Sequence, residues 1–325
     1  MAEAPKSSSP AMVLEFEKPI VAIEKQIREL VTQQESRGVD LATEISQMRH
    51  QLSALLKKTY QNLTAWETVQ VARHPQRPQT RDYIDLIVKN FDELHGDRKF
   101  GDDKTIVAGF GRIGTHKVMV VGQHKGRDTK EKIACNFGCA HPEGYRKALA
   151  KMELAEKFGL PIVTFIDTPG AFPGIGSEER GVAEAIAVNL REMSRLKVPI
   201  ICLVLGEGGS GGALGIGVGD RLAMMQYAWY SVISPEGCSG ILWKNSTNAP
   251  DAAEALKLTS SYLKELGIID EIIEEPLGGA QRNPRAAADS IERYLDRTLR
   301  ELKRLPVADL VNQRYDRIRR IGAEA

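Results

Sequence analysis

VPIICLVLGEGGSGGALGIGVG, residues 198–219, joins an apolar run to a glycine-rich turn and to the start of a helix near Gly211. The apolar run is typical of a strand buried on both faces, as in a parallel sheet. Glycine allows sharp turns and lets a ligand approach main-chain N–H groups, and the first turn of a helix leaves such groups unpaired. The segment therefore predicts a site for an anionic oxygen, either a phosphate or an oxyanion. The alternative is a loop that only packs a helix closely on a sheet.

Outside this segment, further apolar runs alternate with helical patterns. Such alternation, with strands rich in valine, isoleucine and leucine, favours an α/β architecture with buried sheets. Thr80 is expected to cap the helix before the first strands, and Gly114-Thr115 is expected to turn a hairpin. The predicted strands are residues 105–113, 117–122, 161–167, 198–205, 221–226 and 231–234, and the main predicted helices are residues 80–91, 142–158, 177–196 and 284–305.

Two amphipathic helical patterns precede this part of the chain. The first runs through residues 20–31 and the second through residues 45–66, and the proline-containing residues 73–78 end the region. We expect this helical pair to pack on the later core or on a partner chain. The predicted division of the chain is a disordered lead-in at 1–11, a helical region at 12–79, a main domain at 80–301 and a helical tail at 302–325.

Composition argues against several classes of function. The 44 basic and 43 acidic residues nearly cancel, so no net charge recruits nucleic acid or an anionic membrane. Four cysteines in 325 residues do not suggest a disulfide framework and suit a reducing compartment. The N-terminus has no apolar core of a secretory signal, and the apolar runs are shorter than the ~20 residues of a membrane helix. We therefore expect a cytoplasmic protein without a membrane segment.

Two short motifs resemble nucleotide sites but lack the remainder of those sites. Gly206, Gly208 and Gly211 have the spacing of a dinucleotide fingerprint, yet the helix that follows is too short and the next strand ends without the required acid. Asp167-Thr168-Pro169-Gly170 resembles a GTPase turn, but no phosphate-binding P-loop precedes it. Neither a nicotinamide-dependent enzyme nor a nucleoside triphosphatase is favoured.

A cysteine–histidine cluster and a basic strip could each form a binding site, but each also has a purely structural interpretation. Cys135, Cys139 and His141 offer three zinc ligands, but their spacing fits no common ribbon or finger, so a metal site is not favoured. The basic strip HKGRDTKEK, residues 124–132, could hold a phosphate or an acidic carrier surface. Its interleaved acids fit a solvated charged loop equally well.

Six motifs together are very similar to the alpha subunits of the bacterial acetyl-CoA carboxylase carboxyltransferase. The resemblance runs from about residue 12 to about residue 320, with the motifs in the same order. It implies a crotonase-type α/β fold, in which repeated strand-strand-helix units form a spiral of stacked sheets beside an N-terminal helical region. The motifs are ARHPQRP at 72–78, HKGRDTKEK, NFG with PEGYRKAL, TFIDTPGAFPG, GEGGSGGALGIGVGD and VISPEGCSGILWK.

The resemblance also implies partners and a cofactor. In this family the active site lies between the alpha chain and a beta subunit of the same fold, in an alpha2-beta2 assembly. The beta subunit binds acetyl-CoA and carries a zinc ribbon, while the alpha chain faces biotin on the biotin carboxyl carrier protein and holds no metal. A separate biotin carboxylase subunit uses ATP to load the biotin. The expected product is malonyl-CoA for fatty acid synthesis.

The resemblance assigns site residues at the two glycine-rich loops. Gly211 and Gly212 match the glycine pair whose N–H groups donate to the ureido oxygen of biotin, as catalytic groups. The opposing wall matches Gly170, Ala171 and Phe172. Gly208 and Gly209, which lead into the glycine pair, complete the expected biotin-binding set.

Two other functions remain open within the same fold. Crotonase-type hydratases share the GGxxL turn but need two carboxylates to position and split water. One of them would stand at Leu214, and Glu236 could match the other, so the acid pair is incomplete and Glu236 is expected to be a structural acid at a helix start. A non-catalytic scaffold that keeps the fold for subunit contacts is the third possibility.

Overall fold

An eight-stranded sheet forms the centre of the protein, as described by a computed structural model for residues 12–323. The strands run in the order β1-β2-β3-β4-β5-β6-β8, and β7 pairs with β5 beside this path. The pairs β1-β2 and β2-β3 are antiparallel, and all the other pairs are parallel. The strands are β1 (Lys89–Glu93), β2 (Ile106–Ile113), β3 (His116–Gln123), β4 (Ile162–Thr168), β5 (Ile200–Gly209), β6 (Arg221–Met225), β7 (Trp229–Ser231) and β8 (Glu271–Ile273).

Strand β5 changes partners along its length, and this positions the glycine-rich turn. Residues 201–204 of β5 pair with β6, whereas Glu207–Gly209 pair with β7. The pairing with β4 shifts register between Ile166 and Thr168, so the end of β5 bends relative to its first half. All seven residues of β4 and all ten of β5 are buried, as the continuous apolar runs predicted for a parallel sheet.

Helices cover the sheet and carry the chain between its parallel strands. Helix α6 begins with Pro142, which suits the first turn because its missing N–H needs no partner there, and it packs against α8 and the β2-β3 hairpin. The helices are α1 (Lys18–Arg37), α2 (Ala42–Tyr60), α3 (Ala65–Ala72), α4 (Thr80–Ile87), α5 (Thr129–Ala134), α6 (Pro142–Lys157), α7 (Ile175–Glu179), α8 (Val182–Arg195), α9 (Ser210–Leu214), α10 (Pro235–Trp243), α11 (Ala249–Ala255), α12 (Ser260–Glu265), α13 (Pro284–Leu302) and α14 (Val307–Arg320).

The N-terminal helices pack on the later core, which confirms the first of the two expected positions. A small second core joins α1 and α2 to the segment after β6 through Ile20, Tyr60 and Tyr227. The Tyr60 hydroxyl donates to Glu17 at 2.7 Å, and Arg282 pairs with Glu24. The predicted lead-in, residues 1–11, lies outside the described residues, as do residues 324 and 325 of the predicted tail. Within residues 12–323, no helix combines the length and the apolar character needed to cross a bilayer.

Several predicted boundaries were wrong. The predicted helix 80–91 ends at Ile87, and the next residues form the edge strand β1, which its pairing with β2 stabilises. Thr80 is the first helical residue and not the cap, because its hydroxyl donates to the carbonyl of Gln123 while Gln79 occupies the cap position. The second N-terminal pattern is interrupted after Tyr60, and α3 begins anew.

Two further boundaries differ, and several short elements had no predicted counterpart. The predicted helix 177–196 is divided into α7 and α8 at Gly181, whose φ is 77°. The last predicted strand is found at Trp229–Ser231, two residues earlier than expected. Strand β8 and helices α11 and α12 were not predicted individually, and of α10 only a start near Glu236 was expected.

Candidate active site

The glycine corner, which we define as residues 208–212, connects β5 to α9. Ser210 at its centre has a φ of 53°, a backbone region that L residues rarely adopt. Because α9 starts at Ser210, the N–H groups of Gly211 and Gly212 lie in its first turn and have no acceptor within that helix. The two predicted donors are therefore consecutive and stand at the bent end of a fully buried strand.

Packing explains most of the glycines in this corner. A Cβ atom at Gly209 would lie 2.2 Å from the carbonyl oxygen of Pro169, and one at Gly212 would lie 2.4 Å from the carbonyl carbon of Gly170. A Cβ at Gly208 would meet the ring of Tyr230 at 2.4 Å. A side chain at any of these three positions would force its neighbours to move, since carbon contacts are normally ~3.5–4.0 Å.

Gly211 is different from the other glycines of the corner. A Cβ there would make an ordinary contact, 3.6 Å from Cδ1 of Ile186, and the residue does not have a positive φ. Neither packing nor backbone conformation therefore requires glycine at this position. The missing side chain therefore leaves open space beside the Gly211 backbone, which something from outside the chain can approach closely.

The loop after β4, to which the resemblance assigned the opposing wall of the biotin site, lies directly against the corner. Gly170 and the amide nitrogen of Ala171 contact Gly212 so closely that a methyl group would not fit between them. Phe172 extends away from this contact, with its ring 4.2 Å from the ring of His141. Of the predicted biotin-binding residues, the structure brings Gly209, Gly170 and Ala171 together with the glycine pair.

A chain of buried charges lies beside the two loops. The Lys125 ammonium is 2.7 Å from Asp167 and 3.1 Å from Glu207, and Arg73 Nε is 2.7 Å from the second oxygen of Glu207. Arg73 also pairs with Glu236. The ends of β4 and β5 are thereby joined to the segment that precedes α4.

The pKa values of this network follow from its pairing. Burial disfavours the charge of Glu207, but Lys125 and Arg73 outweigh that effect and hold its pKa below the usual range. Burial likewise opposes the charge of Lys125, while Asp167 and Glu207 raise the pKa of its ammonium. Both groups are thus ionised near neutral pH, and their charges balance inside the protein.

A cavity of about 450 Å³ lies between this network and the wall loop. Pro169 lines the cavity and also contacts Gly209, so the cavity adjoins the glycine corner. Phe137 lies at the cavity with 57% of its surface exposed. The other lining residues are Ala72, Arg73, His74, Pro75, Arg77, Gln79, Lys125, Gly126, Lys132, Asp167 and Glu207.

The predicted basic loop is divided between two environments. Lys125 belongs to the buried network, and Arg127 pairs with Asp82 at the surface. Lys132 lines the cavity, while Lys130 is exposed. Binding of a carrier or a phosphate by this loop stays a prediction, and Lys125 is better described as a structural cation.

Sequence reasoning missed three side chains that organise the site. Arg73 and Arg77 lie in the motif at 72–78, which was noted for its resemblance and given no role. Arg77 donates to the Leu205 carbonyl at 2.7 Å and forms a buried ion pair with Glu275. Gln123 bonds the corner itself at Gly212. The repeated arginines among prolines were the available signal for the first two, and the sequence offered none for Gln123.

The cysteine and histidine cluster does not come together as a ligand set. His141 Nδ1 lies 2.7 Å from the Ser177 hydroxyl, and Cys135 Sγ lies near the Lys104 carbonyl. Burial raises the pKa of the Cys135 and Cys139 thiols to about 11, so neither is a ready thiolate. Among residues 12–323, no three His, Cys, Asp or Glu side chains are grouped for a metal ion.

Glu236 occupies the position expected of a structural acid. It is the second residue of α10 and pairs with Arg73. Burial raises the pKa of Glu236, but the ion pair with Arg73 outweighs this effect and holds the pKa below the usual range. Leu214, where a hydratase would carry its other carboxylate, is 40% exposed at the end of α9. The corner thus lacks the acid pair that water addition needs.

Comparison with known proteins identifies the family. Residues 13–322 match the family model described as acetyl co-enzyme A carboxylase carboxyltransferase-like. The acetyl-coenzyme A carboxylase carboxyl transferase subunit alpha of Hydrogenovibrio crunogenus is 57% identical over 95% of this chain and 97% of that protein. The corresponding subunit of Rhodopirellula baltica is 55% identical over the same shares.

Solved structures agree on the fold. The transcarboxylase 12S structure with methylmalonyl-coenzyme A bound has a TM-score of 0.54 at 22% identity, covering 67% of this chain and 42% of that one. A Pseudomonas malonate decarboxylase hetero-tetramer in complex with coenzyme A has a TM-score of 0.56 at 16% identity, covering 70% of this chain and 93% of that one. These likenesses confirm the crotonase-type fold that the sequence predicted. The chain belongs to the family of acetyl-CoA carboxylase carboxyltransferase alpha subunits.

Proposed function

We propose that this chain forms the biotin-facing half of an acetyl-CoA carboxyltransferase. Together with a beta subunit, it transfers the carboxyl group from carboxybiotin on the biotin carboxyl carrier protein to acetyl-CoA, giving malonyl-CoA for fatty acid synthesis in the cytoplasm. Membership of the family supports the class of reaction. The free space at Gly211 supports the position of the site, because a glycine without an internal reason leaves room for a ligand.

The residues of the corner fit an oxygen that gains negative charge. Carboxybiotin, when bound, supplies the carboxyl group, and its ureido oxygen becomes more negative as that group leaves. We assign the N–H groups of Gly211 and Gly212 to donate to this oxygen. Donors that are already oriented contribute about 3 kcal/mol each to such a step, because they need no rearrangement as the charge develops.

The surrounding residues keep these donors in place. Gly170 and Ala171 hold Gly212 from the opposite side, and the bend of β5 sets the direction in which α9 begins. Lys125, Asp167 and Glu207 are each paired inside the protein, so we assign the contact with the developing charge to the backbone amides and not to these side chains. In this proposal no side chain of the chain acts as a nucleophile.

A second protein is needed to complete the site. Val232, Ile241, Leu242 and Trp243, which flank Glu236 in sequence, expose 77%, 73%, 65% and 44% of their surfaces. A group of large apolar side chains in water is typical of a surface that another protein covers. We assign this surface to the beta subunit, which is expected to carry the zinc ribbon and acetyl-CoA in an alpha2-beta2 assembly. The ATP-using biotin carboxylase acts upstream as a separate subunit.

Replacement of Gly211 by valine in the reconstituted alpha–beta complex tests the proposal. The valine side chain fills the space where the ligand oxygen would approach, so malonyl-CoA formation from acetyl-CoA and carboxylated carrier protein should fall by about 100-fold or more. Gly101→Val is the matched control, since a Cβ there meets nothing within 4 Å and the added side chain is the same. This control should retain turnover.

Two outcomes would contradict the proposal. Wild-type turnover by an assembled Gly211→Val complex would instead support a scaffold that performs no chemistry. Hydration of crotonyl-CoA by the purified chain alone would support a single-chain hydratase. Assembly is monitored by size-exclusion chromatography, so that lost turnover is not confused with lost association.

A further inference from the structure

Gln123 is the last residue of β3 and is fully buried, yet both ends of its side-chain amide are bonded. Its Nε2 donates to the carbonyl of Gly212 at 2.7 Å. Its Oε1 accepts from the backbone N–H of Asp167 at 3.2 Å. One side chain therefore connects the glycine corner to the end of β4, across 89 and 44 positions of sequence.

These bonds limit backbone rotation at the two successive glycines, Gly211 and Gly212. Glycine has no Cβ to limit its rotation, so two successive glycines would otherwise allow their peptide planes to turn. The carbonyl of Gly211 is held by the N–H of Gly215 at 2.9 Å, and the carbonyl of Gly212 is held by Gln123. Because each peptide unit is planar, holding the Gly211 carbonyl fixes the direction of the Gly212 N–H. Holding the Gly212 carbonyl fixes the next peptide unit, with the Ala213 N–H, and so limits the rotation of Gly212 from its other side.

The same side chain also links the glycine corner to the charge network. Asp167, whose N–H bonds Gln123, accepts from the N–H of Glu207 at 3.0 Å and pairs with Lys125. The ends of three parallel strands thus meet through Gln123 and Asp167. A movement at either loop would have to break at least one of these buried bonds.

We propose that Gln123 is a positioning residue for the carboxyl transfer: its bonds to the Gly212 carbonyl and to the Asp167 N–H fix the peptide unit that follows the two donors and so keep Gly212 from rotating out of the orientation that the reaction requires. This inference rests on the proposed function, because it assumes that the corner amides act on a ligand. Gln123 itself does not touch the reacting atoms.

Replacement of Gln123 by methionine keeps the length of the side chain and removes both bonds. In the alpha–beta complex, we expect kcat for malonyl-CoA formation to fall about 100-fold, the loss that follows a displacement of about 1 Å in a catalytic group. The KM for acetyl-CoA should stay unchanged, because that substrate is assigned to the partner. A side chain with only a structural role would lower the melting temperature without this separation of kcat from KM.

Gln226→Met is the matched control. Gln226 directly follows β6, and its side chain accepts from the N–H of Glu275 at 3.0 Å without contacting the corner. The same substitution there should leave kcat within about twofold of the wild type, because this position orients no donor of the site.

A glutamate at position 123 gives a readout that does not depend on stability. Its ionised form still accepts from Asp167 but repels the Gly212 carbonyl, whereas its protonated form donates to that carbonyl. Asp167, whose N–H bonds Gln123, is linked to Lys125 and Glu207, and His124 is the next residue in the chain; these groups are the same in the wild type, so the ratio to the wild type removes their own titration. The ratio of variant to wild-type kcat for Gln123→Glu should therefore rise at least tenfold as the pH falls and the buried carboxyl group gains a proton.

The outcomes separate this inference from the proposed function. If Gly211→Val loses turnover while Gln123→Met keeps its kcat, only the role of Gln123 is overturned. If Gly211→Val itself keeps turnover, the proposed function fails first. Should Gln123→Met not assemble, the pH response of Gln123→Glu decides, and a kcat ratio independent of pH overturns the inference.

Discussion

Alanine at position 212 tests the geometry of the glycine corner most directly. A Cβ there would lie 2.4 Å from the carbonyl carbon of Gly170 and 2.6 Å from the amide nitrogen of Ala171. Both are backbone atoms, so no flexible side chain can move aside. Ordinary carbon contacts are ~3.5–4.0 Å, and the two loops must therefore separate by about 1 Å.

This separation has two calculable consequences. Overfilling a packed interior costs about 1–3 kcal/mol, so the free energy of unfolding should fall by that amount in Gly212→Ala. A displacement of about 1 Å of a catalytic group lowers kcat by about 100-fold. Gly211→Ala is the stability control, because its methyl group meets Ile186 at an ordinary 3.6 Å. Glycine-to-alanine exchange in a helix contributes about 0.5–1 kcal/mol, so this variant should be at least as stable as the wild type.

Urea unfolding of the purified chain measures the change in the free energy of unfolding. Malonyl-CoA formation by the alpha–beta complex measures the change in kcat. The expected pattern is loss of both in Gly212→Ala and undiminished stability in Gly211→Ala. If Gly212→Ala unfolds at the wild-type urea concentration and turns over at the wild-type rate, the two loops are not in contact as described and the reasoning is refuted.

Three further predictions concern the charges. Arg314 donates to both oxygens of Asp220 and to three backbone carbonyls in full burial, so Arg314→Met should destabilise the protein by about 3–5 kcal/mol in urea unfolding, and an unchanged midpoint would contradict this. The pKa of Glu207 is lowered, so its contribution to stability is complete above its ordinary pKa of 4.5 and is lost as the pH falls through its lower folded value. Glu207→Gln, which also deprives Lys125 of a partner, should unfold more easily at pH 7 and show less additional loss on acidification than the wild type. If exposed Lys130 contacts the carrier protein, Lys130→Glu should raise the KM for that carrier and change its salt response, whereas unchanged kinetics would make the loop plain solvated surface.

The fold could be predicted well wherever one segment carries its own signal. The buried strands β4 and β5 are continuous apolar runs, and the hairpin of β2 and β3 has its glycine turn, so burial and turn chemistry are visible locally. Strand β1 was missed because its sequence, KNFDE, is polar and follows a helical pattern without interruption. Its extended form depends on pairing with β2, in which the paired residues lie 16 to 23 positions further along the chain.

The candidate site was predicted only in part for the same reason. The glycine pair and the wall loop could be assigned from motifs, since glycine reports a local conformational need and the motifs resemble a known family. The bond from Gln123 to Gly212 spans 89 residues, and the ion pairs of Arg73 with Glu207 and Glu236 span 134 and 163. No local pattern marks such partners.

The sequence by itself determined the α/β class, the buried parallel strands, the family and the corner where amide donors follow a strand. Tertiary structure decided which glycines are required by packing, that Gly211 is not one of them, and that Gln123 bonds the carbonyl beside the donors. The physical reason is that burial and turn preference are properties of a short segment, whereas a contact between distant segments exists only after the chain has folded.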